Sequence, residues 1–197
     1  MMWPLLLTSL AALTVVIERL VFTIGEQMGR QPAVVAEIFA AVERGDLDAA
    51  QRAGERSRDF VARTLAYGLR HREVSYSNAL LAAANVELQR FNRGISVLDT
   101  IVTLAPLEGL FGTVTGMIHA FGLLGNSELG APAAITGGIA QALIATAFGL
   151  VIAMVALVPF NYLNARLEQA RHEIETASAQ LEMLLLRNEK NGSLIAP

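Results

Sequence analysis

The stretch APLEGLFGTVTGMI, residues 105–118, decides how this chain folds. It lies inside a long apolar run, residues 95–124, and yet it holds the carboxylate Glu108 together with a proline and three glycines. An ionisable group is costly inside a membrane span, so such a residue marks a functional site by default. Glycines and threonines beside it are typical of closely packed membrane helices. The stretch therefore predicts a helical membrane assembly that contains a polar pathway.

The composition of the chain is that of a membrane protein. Hydrophobic residues make up 53% of it and charged residues only 17%, a balance that soluble domains rarely reach. Cysteine is absent, which excludes disulfide scaffolds, cysteine zinc sites and thiol nucleophiles. The three histidines are scattered, and no basic patch with interleaved aromatic residues exists. Neither a metal, a cofactor nor a nucleic-acid partner is predicted.

Three apolar segments are long enough to cross a hydrocarbon core of roughly 30 Å, which takes about 20 helical residues. They are residues 1–24, 95–124 and 133–162. The first lacks the basic leader and the small-residue cleavage site of a signal peptide, so we predict a retained helix. The expected fold class is all-α, an integral membrane protein with three transmembrane helices and cytoplasmic helical extensions.

The distribution of lysine and arginine predicts the orientation of the chain. Arg19 lies near the end of the first span and Arg30 follows it, the turn at 125–132 has no basic residue, and the tail at 163–197 has several. Basic residues favour the cytoplasmic side of a membrane. The N-terminus and the turn are therefore predicted to be periplasmic, whereas residues 25–94 and the tail are predicted to be cytoplasmic.

The cytoplasmic segments read as packing helices. Helices are predicted at 33–44, 47–56, 60–71 and 76–91, with Gly45 ending the first and Asp46 capping the second. The last of these helices is predicted to run directly into the second span, because no proline or turn cluster separates them. The tail repeats apolar residues at helical spacing, which predicts one more helix there.

Helical geometry sorts the polar residues of the second span into two faces, since a helix turns about 100° per residue. Asp99 and Thr113 share one face. Glu108 and His119 share a second face, about 140° away from the first. The span is therefore predicted to present polar groups in two directions.

Antiparallel pairing of the second and third spans predicts which residues lie at equal depth. Thr113 pairs with Thr146, and His119 pairs with Gln141, close enough in depth for a hydrogen bond. The two threonines are candidates for one hydroxyl-lined level of a pore. The alternative is that each hydroxyl only bonds its own backbone carbonyl one turn back.

Small residues predict where the two spans touch. Gly112 and Gly116 form a GxxxG pair on the second span, and Gly149 continues a small-residue repeat on the third. This spacing is typical of close helix contacts. By depth, Gly149 is also the neighbour expected for Glu108 on the third span.

Two long runs carry a resemblance to a known family. They are LDTIVTLAPLEGLFGTVTGMIHAF at 98–121 and GIAQALIATAFGL at 138–150. The sequence resembles the ExbB/TolQ/MotA proton-channel family, closest to ExbB, over nearly the whole chain. The resemblance implies a three-span subunit of the cell inner membrane and not an enzyme. Paired catalytic carboxylates, a nucleophile triad and a phosphate loop are also missing from the sequence.

The resemblance also implies partners. Family subunits form a homo-oligomeric ring, here expected to be a pentamer, around the single spans of an ExbD-like or TolR-like subunit whose aspartate exchanges protons. The work passes to a TonB-like or TolA-like protein that acts on the outer membrane, and membrane lipid surrounds the ring. The threonines that match Thr113 and Thr146 line the family's pore, and Asp99 shares the face of Thr113. A TolQ-like motor for envelope maintenance is the alternative within the family.

The chain departs from the family pattern at two positions. Gln141 stands where many members have glutamate, and Glu108 stands where an apolar residue is typical. One hypothesis is that Glu108 partly takes over the missing role, although it does not share the face of Thr113. It could instead face a neighbouring subunit or its own third span.

A non-conducting membrane scaffold for the partner helices is a second possible function. A flagellar-type stator is disfavoured, because stators have four spans.

Overall fold

The computed structural model describes residues 2–122 and 131–195, and within these ranges it is helical and contains no strand. The predicted periplasmic turn at 125–132 therefore lies mostly outside the described residues. The helices are α1 (Met2–Met28), α2 (Pro32–Glu43), α3 (Leu47–Glu55), α4 (Phe60–Arg70), α5 (Arg72–Asn92), α6 (Ile95–Gly122) and α7 (Ala131–Ile195). The predicted all-α fold class is confirmed.

Three stretches are long and apolar enough to cross a membrane. They lie within Trp3–Met28, Ser75–Gly122 and Ile135–Asn188. Their outer surfaces carry large exposed apolar side chains, such as Trp3 at 79% exposure and Val158 at 72%. Apolar surface on this scale needs lipid or other protein around it. The chain is a membrane protein with three candidate spans, as predicted.

The chain divides into two compact units. The membrane unit consists of Met1–Leu20 and Gly94–Leu163, and the hydrophilic unit consists of Val21–Arg93 and Asn164–Pro197. Helix α7 is continuous through Pro159, so one helix contributes to both units. A proline removes one backbone hydrogen bond but is tolerated in membrane helices.

The short helices of the hydrophilic unit begin and end where the sequence predicts. Gly45 ends α2 with a φ of 78°, and the Asp46 carboxylate caps α3 by accepting a hydrogen bond of 2.9 Å from the amide of Ala49. Asp and Gly are the residue types that favour these two positions. The core of the unit is fully buried at Ile38, Val42, Leu65 and Leu69.

The prediction that α5 runs directly into the second span is wrong. Helix α5 ends at Asn92, Arg93 leaves the helical region with a ψ of 131°, and Gly94 has a φ of 79°. Glycine adopts this left-handed conformation without steric cost, so a single residue provides the turn. A Cβ atom on Gly94 would also lie 3.1 Å from Cδ of Arg19, a close approach that leaves little room for a side chain.

A buried carboxylate joins the segments of the hydrophilic unit. Asp59 is 1% exposed, and it accepts hydrogen bonds from the amides of Gln31 (2.7 Å) and Val61 (2.8 Å). It also forms an ion pair with Arg30, whose guanidinium bonds Glu173 of α7 as well. The same guanidinium lies 4.7 Å from the centre of the Phe60 ring, where a cation is attracted to the aromatic face. Asp59 is thus the cap of α4 and the centre of a charged network.

Helix α5 is interrupted at Ser75, whose φ of −171° and ψ of 97° are not helical. Tyr76, which follows this interruption, has a hydroxyl that is buried without a hydrogen-bond partner in the described part of the chain. Burial raises the pKa of this phenol, and the nearby charge of Glu182 raises it further. Because the unfolded tyrosine ionises near its ordinary pKa of about 10, the stability of the folded unit should fall as the pH rises above about 10.

Replacing Tyr76 with phenylalanine is expected to stabilise the protein by about 1 kcal/mol at neutral pH, because an unsatisfied buried hydroxyl is removed. The difference between Tyr76→Phe and wild type should grow in alkaline solution, since phenylalanine does not ionise. Thermal unfolding in detergent at neutral and alkaline pH measures both effects. A loss of stability in Tyr76→Phe at neutral pH would show that the hydroxyl makes a stabilising hydrogen bond.

Candidate proton pathway in the membrane unit

Helices α6 and α7 meet along a seam of small residues. The buried small residues of α6 include Ala105, Gly109, Gly112 and Ala120, and those of α7 include Ala142, Ala145, Gly149 and Ala153. Small side chains let two membrane helices approach until their backbones touch. We call this contact the α6–α7 seam.

Glycine is required at several points of the seam because the partner atoms belong to the backbone. A Cβ atom on Gly149 would collide with the carbonyl oxygen of Ala105 and would lie 3.1 Å from Cα of Gly109. A Cβ atom on Gly116 would lie 2.7 Å from Cβ of Ala142, a side chain that cannot rotate away, and 3.3 Å from its backbone Cα. The structure therefore places the predicted packing glycines Gly116 and Gly149 in the seam, and Gly112 is buried on the same helix.

Gly109 is a seam residue that the sequence analysis did not single out. A Cβ atom there would lie 3.0 Å from the carbonyl oxygen of Ala145 and from Cα of Thr146. The signal was present in the sequence, because Ala105, Gly109 and Gly112 follow each other at spacings of four and three residues, which keeps them on one helix face. The GxxxG motif covers only Gly112 and Gly116 and therefore does not predict Gly109.

The two predicted pore threonines differ in their hydrogen bonds. The Thr146 hydroxyl crosses the seam and donates to the carbonyl oxygen of Gly109 over 2.8 Å. The Thr113 hydroxyl donates to the carbonyl oxygen of Leu110 over 2.7 Å, the backbone bond that the sequence analysis left open as an alternative. Gly109 and Thr113 are one turn apart, so the two hydroxyls lie at similar depth without bonding each other. Both side chains are half-buried.

His119 and Gln141 line one groove, which also contains Thr115. The groove has a volume of about 210 Å³, and its remaining lining consists of the small residues of the seam. Both the imidazole and the amide are exposed in the isolated chain. The predicted equal depth of this pair agrees with the structure, because both side chains reach the same groove. Among the residues that line the groove, His119 is the one with an ionisable side chain.

Glu108 lies against α1 and not against Gly149 of the third span, which was one of the places that the sequence left open for it. The Thr8 hydroxyl donates to the Glu108 carboxylate, at 2.9 Å from Oε2 and 3.1 Å from Oε1. The place opposite Gly149 is filled instead by the backbone of Ala105 and Gly109. A helical-wheel argument between two spans could not find this contact, because the donor comes from the first span.

Asp99 is exposed near the start of α6. Its backbone carbonyl accepts a hydrogen bond of 3.2 Å from the Thr103 hydroxyl. Its predicted place beside the pore therefore remains a prediction.

Elsewhere in the unit, Ala12, Ile101 and Ala156 form a buried cluster in which α1, α6 and α7 meet. This cluster fixes the first span to the other two, and so it helps to hold Thr8 next to Glu108.

Comparison with known proteins gives the chain a family. The sequence profile of the MotA/TolQ/ExbB proton channel family matches residues 55–176, which contain all of α6, the seam and its polar residues. The match covers more than half of the chain. This is a proton-channel family and not an enzyme family.

Individual relatives agree with the profile. The putative biopolymer transport protein ExbB-like 1 of Synechocystis sp. is 37% identical over 191 residues, which are 93% of this chain and 74% of that protein. Biopolymer transport protein ExbB of Neisseria gonorrhoeae is 38% identical over 105 residues, 53% of this chain and 47% of that protein. The Tol-Pal system protein TolQ of Haemophilus influenzae is 39% identical over 88 residues, 45% of this chain and 39% of that protein.

The chain thus spans about half or less of the length of the last two relatives, and it matches the first over most of both proteins. The agreement includes the α6 and α7 segments that build the seam, which the family profile covers. The earlier resemblance is confirmed at the level of the family. This chain is a member of the MotA/TolQ/ExbB proton channel family.

Proposed function

We propose that the chain is the ring-forming subunit of an inner-membrane complex that uses the proton-motive force for work on the outer membrane. Its copies would surround the single span of an ExbD-like subunit, and a TonB-like protein would carry the work onward. The observation that supports this most is the α6–α7 seam with its threonines inside the segment that matches the family.

The seam suits this task for a physical reason. Contacts such as that of Gly149 with Ala105 are backbone contacts, so the two helices form a wall that deforms little. Thr113 is half-buried in the isolated chain, and its hydroxyl keeps its accepting capacity while it donates to Leu110. A hydroxyl at this depth can hydrogen-bond a partner's carboxyl group while that group gains or loses a proton.

The names of the relatives support a proposal about the type of complex. A relative that matches 93% of this chain carries an ExbB-like name, whereas the TolQ match covers 45% of it. This balance favours an ExbB-type complex for nutrient or biopolymer transport over a Tol-type motor. The topology with a periplasmic N-terminus and a cytoplasmic tail belongs to the same proposal.

Gln141 supports a competing function, a scaffold that holds the partner helices without conducting. An amide does not titrate, and the groove around Gln141 contains no carboxylate among its lining residues. If the complex conducts protons, the partner's carboxyl group or another group of this chain must exchange them.

Association with the partner tests the proposal. We expect the chain, expressed with an ExbD-like subunit, to be extracted from the inner membrane as a complex that contains several copies of the chain and retains the partner. Replacing Thr113 with phenylalanine should expel the partner and keep the ring, because only the inner face changes. Native mass spectrometry in detergent measures both compositions. A chain that stays monomeric, or a Thr113→Phe ring that retains the partner, contradicts the proposed arrangement.

A further inference from the structure

We infer that Glu108, held by Thr8, is a proton-exchange site of this chain, on the α1 side of α6 and separate from the threonines of the seam. This inference rests on the proposed function, because the site would serve the proton movement of the same complex. In this arrangement the Glu108 carboxyl group of the chain itself exchanges protons, and Thr8 of the first span holds that group in place.

The hydrogen bonds single out Thr8 among the threonines of the membrane unit. Five of these threonines donate to carbonyl groups of their own helix, namely Thr14, Thr100, Thr103, Thr113 and Thr115. Thr8 instead points its hydroxyl at a carboxylate one hundred residues away in the chain. Because the Thr8 hydroxyl lies between the two carboxylate oxygens of Glu108, either oxygen can carry a proton.

The spans of the chain offer Glu108 no opposite charge. Residues 2–17 of α1 and 131–161 of α7 contain no ionisable side chain, and Glu18 pairs with its neighbour Arg19. On α6 the nearest ionisable residues are Asp99 and His119, about 14 and 16 Å away along the helix axis. An ionised carboxylate without a counter-charge is costly in a membrane, whereas the neutral acid is tolerated. No charge of the described spans therefore holds Glu108 in its ionised form.

Thr8 can hydrogen-bond both forms of the carboxyl group. A threonine hydroxyl donates one hydrogen bond and accepts two. It donates to the carboxylate as observed, and by rotation it accepts from the carboxylic acid after proton uptake. A partner that only donates, such as a backbone amide, would favour the ionised form alone. The pair therefore suits a group that must cycle between two protonation states.

An open groove reaches the Thr8 end of the pair. It has a volume of about 580 Å³ and is lined by residues of α1 and α6, among them Thr8, Thr100 and Ser96. Ser96 lies twelve residues before Glu108, about 18 Å along the helix axis. On the predicted topology this is the cytoplasmic end of the span. The other five of its eight lining residues are apolar, and the three hydroxyl groups are the polar partners that it offers to water.

Infrared spectroscopy of the chain without its partner tests the site directly. We expect the protonated-carboxyl absorption that appears on acidification in wild type to lose one component in Glu108→Gln, and we expect that component to change frequency in Thr8→Val. Thr14→Val is the matched control, because the Thr14 hydroxyl bonds only Leu10 of its own helix, and its band should equal that of wild type. If Glu108→Gln leaves the pH-dependent spectrum unchanged, Glu108 binds no exchangeable proton and the inference is overturned.

Proton flux in vesicles that hold the chain and its ExbD-like partner is the second test. Glu108→Gln should lower flux by at least about tenfold, and Glu108→Asp should retain part of it. Thr8→Val should move the pH dependence of flux, which a purely structural contact would not do. Undiminished flux in a folded Glu108→Gln complex overturns the inference. A wild-type complex without flux rejects the proposed function instead, and the infrared band then still reports whether Glu108 binds a proton.

Discussion

Replacing Gly149 with alanine is expected to destabilise the membrane unit by about 3 kcal/mol, because one methyl group cannot enter the seam. Its Cβ atom would meet the carbonyl oxygen of Ala105 and the backbone nitrogen of Gly109, the latter at 3.2 Å. Backbone atoms cannot rotate away as a side chain does, so α6 and α7 must separate. The Thr146 hydrogen bond to Gly109 would be lost with the close contact.

Gly137→Ala is the matched control on the same helix, because a Cβ atom there meets nothing within 4 Å. Alanine is also the better helix former, by roughly 1 kcal/mol, so this variant should be as stable as wild type or more stable. Thermal unfolding in detergent and the yield of the extracted protein compare the two. Equal stability of Gly149→Ala and Gly137→Ala would show that the seam is not a close backbone contact.

Replacing Asp59 with alanine is expected to cost about 3 to 5 kcal/mol of stability in the hydrophilic unit. The substitution removes the cap of α4 and leaves the guanidinium of Arg30 without one of its two carboxylate partners. It also leaves the amide of Gln31 without its acceptor. Asp59 is almost fully buried, so water cannot replace these bonds without opening the unit.

Asp48→Ala is the control, since it removes a carboxylate of the same unit that is 71% exposed and 3.6 Å from Arg72. An exposed pair of this kind contributes about 0–1 kcal/mol. Limited proteolysis and circular dichroism should show early melting of the short helices in Asp59→Ala alone. Similar melting of both variants would mean that the buried network does not hold the unit together.

The sequence was sufficient for the parts of the fold that depend on local chemistry. Gly45 and Asp46 ended one helix and began the next where predicted, because Gly45 acts through its own backbone conformation and Asp46 through a side-chain hydrogen bond three residues along the chain. The placement of His119 and Gln141 at similar depth followed from the antiparallel pairing of the second and third spans. These inferences need only the helical repeat and the position of neighbours along the chain.

Contacts that involve a third element could not be predicted in the same way. The partner of Glu108 is Thr8, and nothing in the order of residues says which side of α6 the first span covers. The break at Gly94 was missed for another reason: an isolated glycine is common inside membrane helices and here happens to adopt a positive φ. Gly109 belongs to a pattern of small residues that overlaps the GxxxG pair at Gly112, and the GxxxG spacing alone does not include it.

The central claim is that this chain forms a proton channel with a partner, and that the channel lies at the level of Thr113. Proton flux driven by a potential across vesicles measures this directly, with wild type and Thr113→Val compared in the presence and absence of an ExbD-like subunit. Valine keeps the shape of threonine and removes the hydroxyl. The account predicts flux that needs the partner and falls to background in Thr113→Val. Undiminished flux in Thr113→Val, or no flux from an intact wild-type complex, would contradict it.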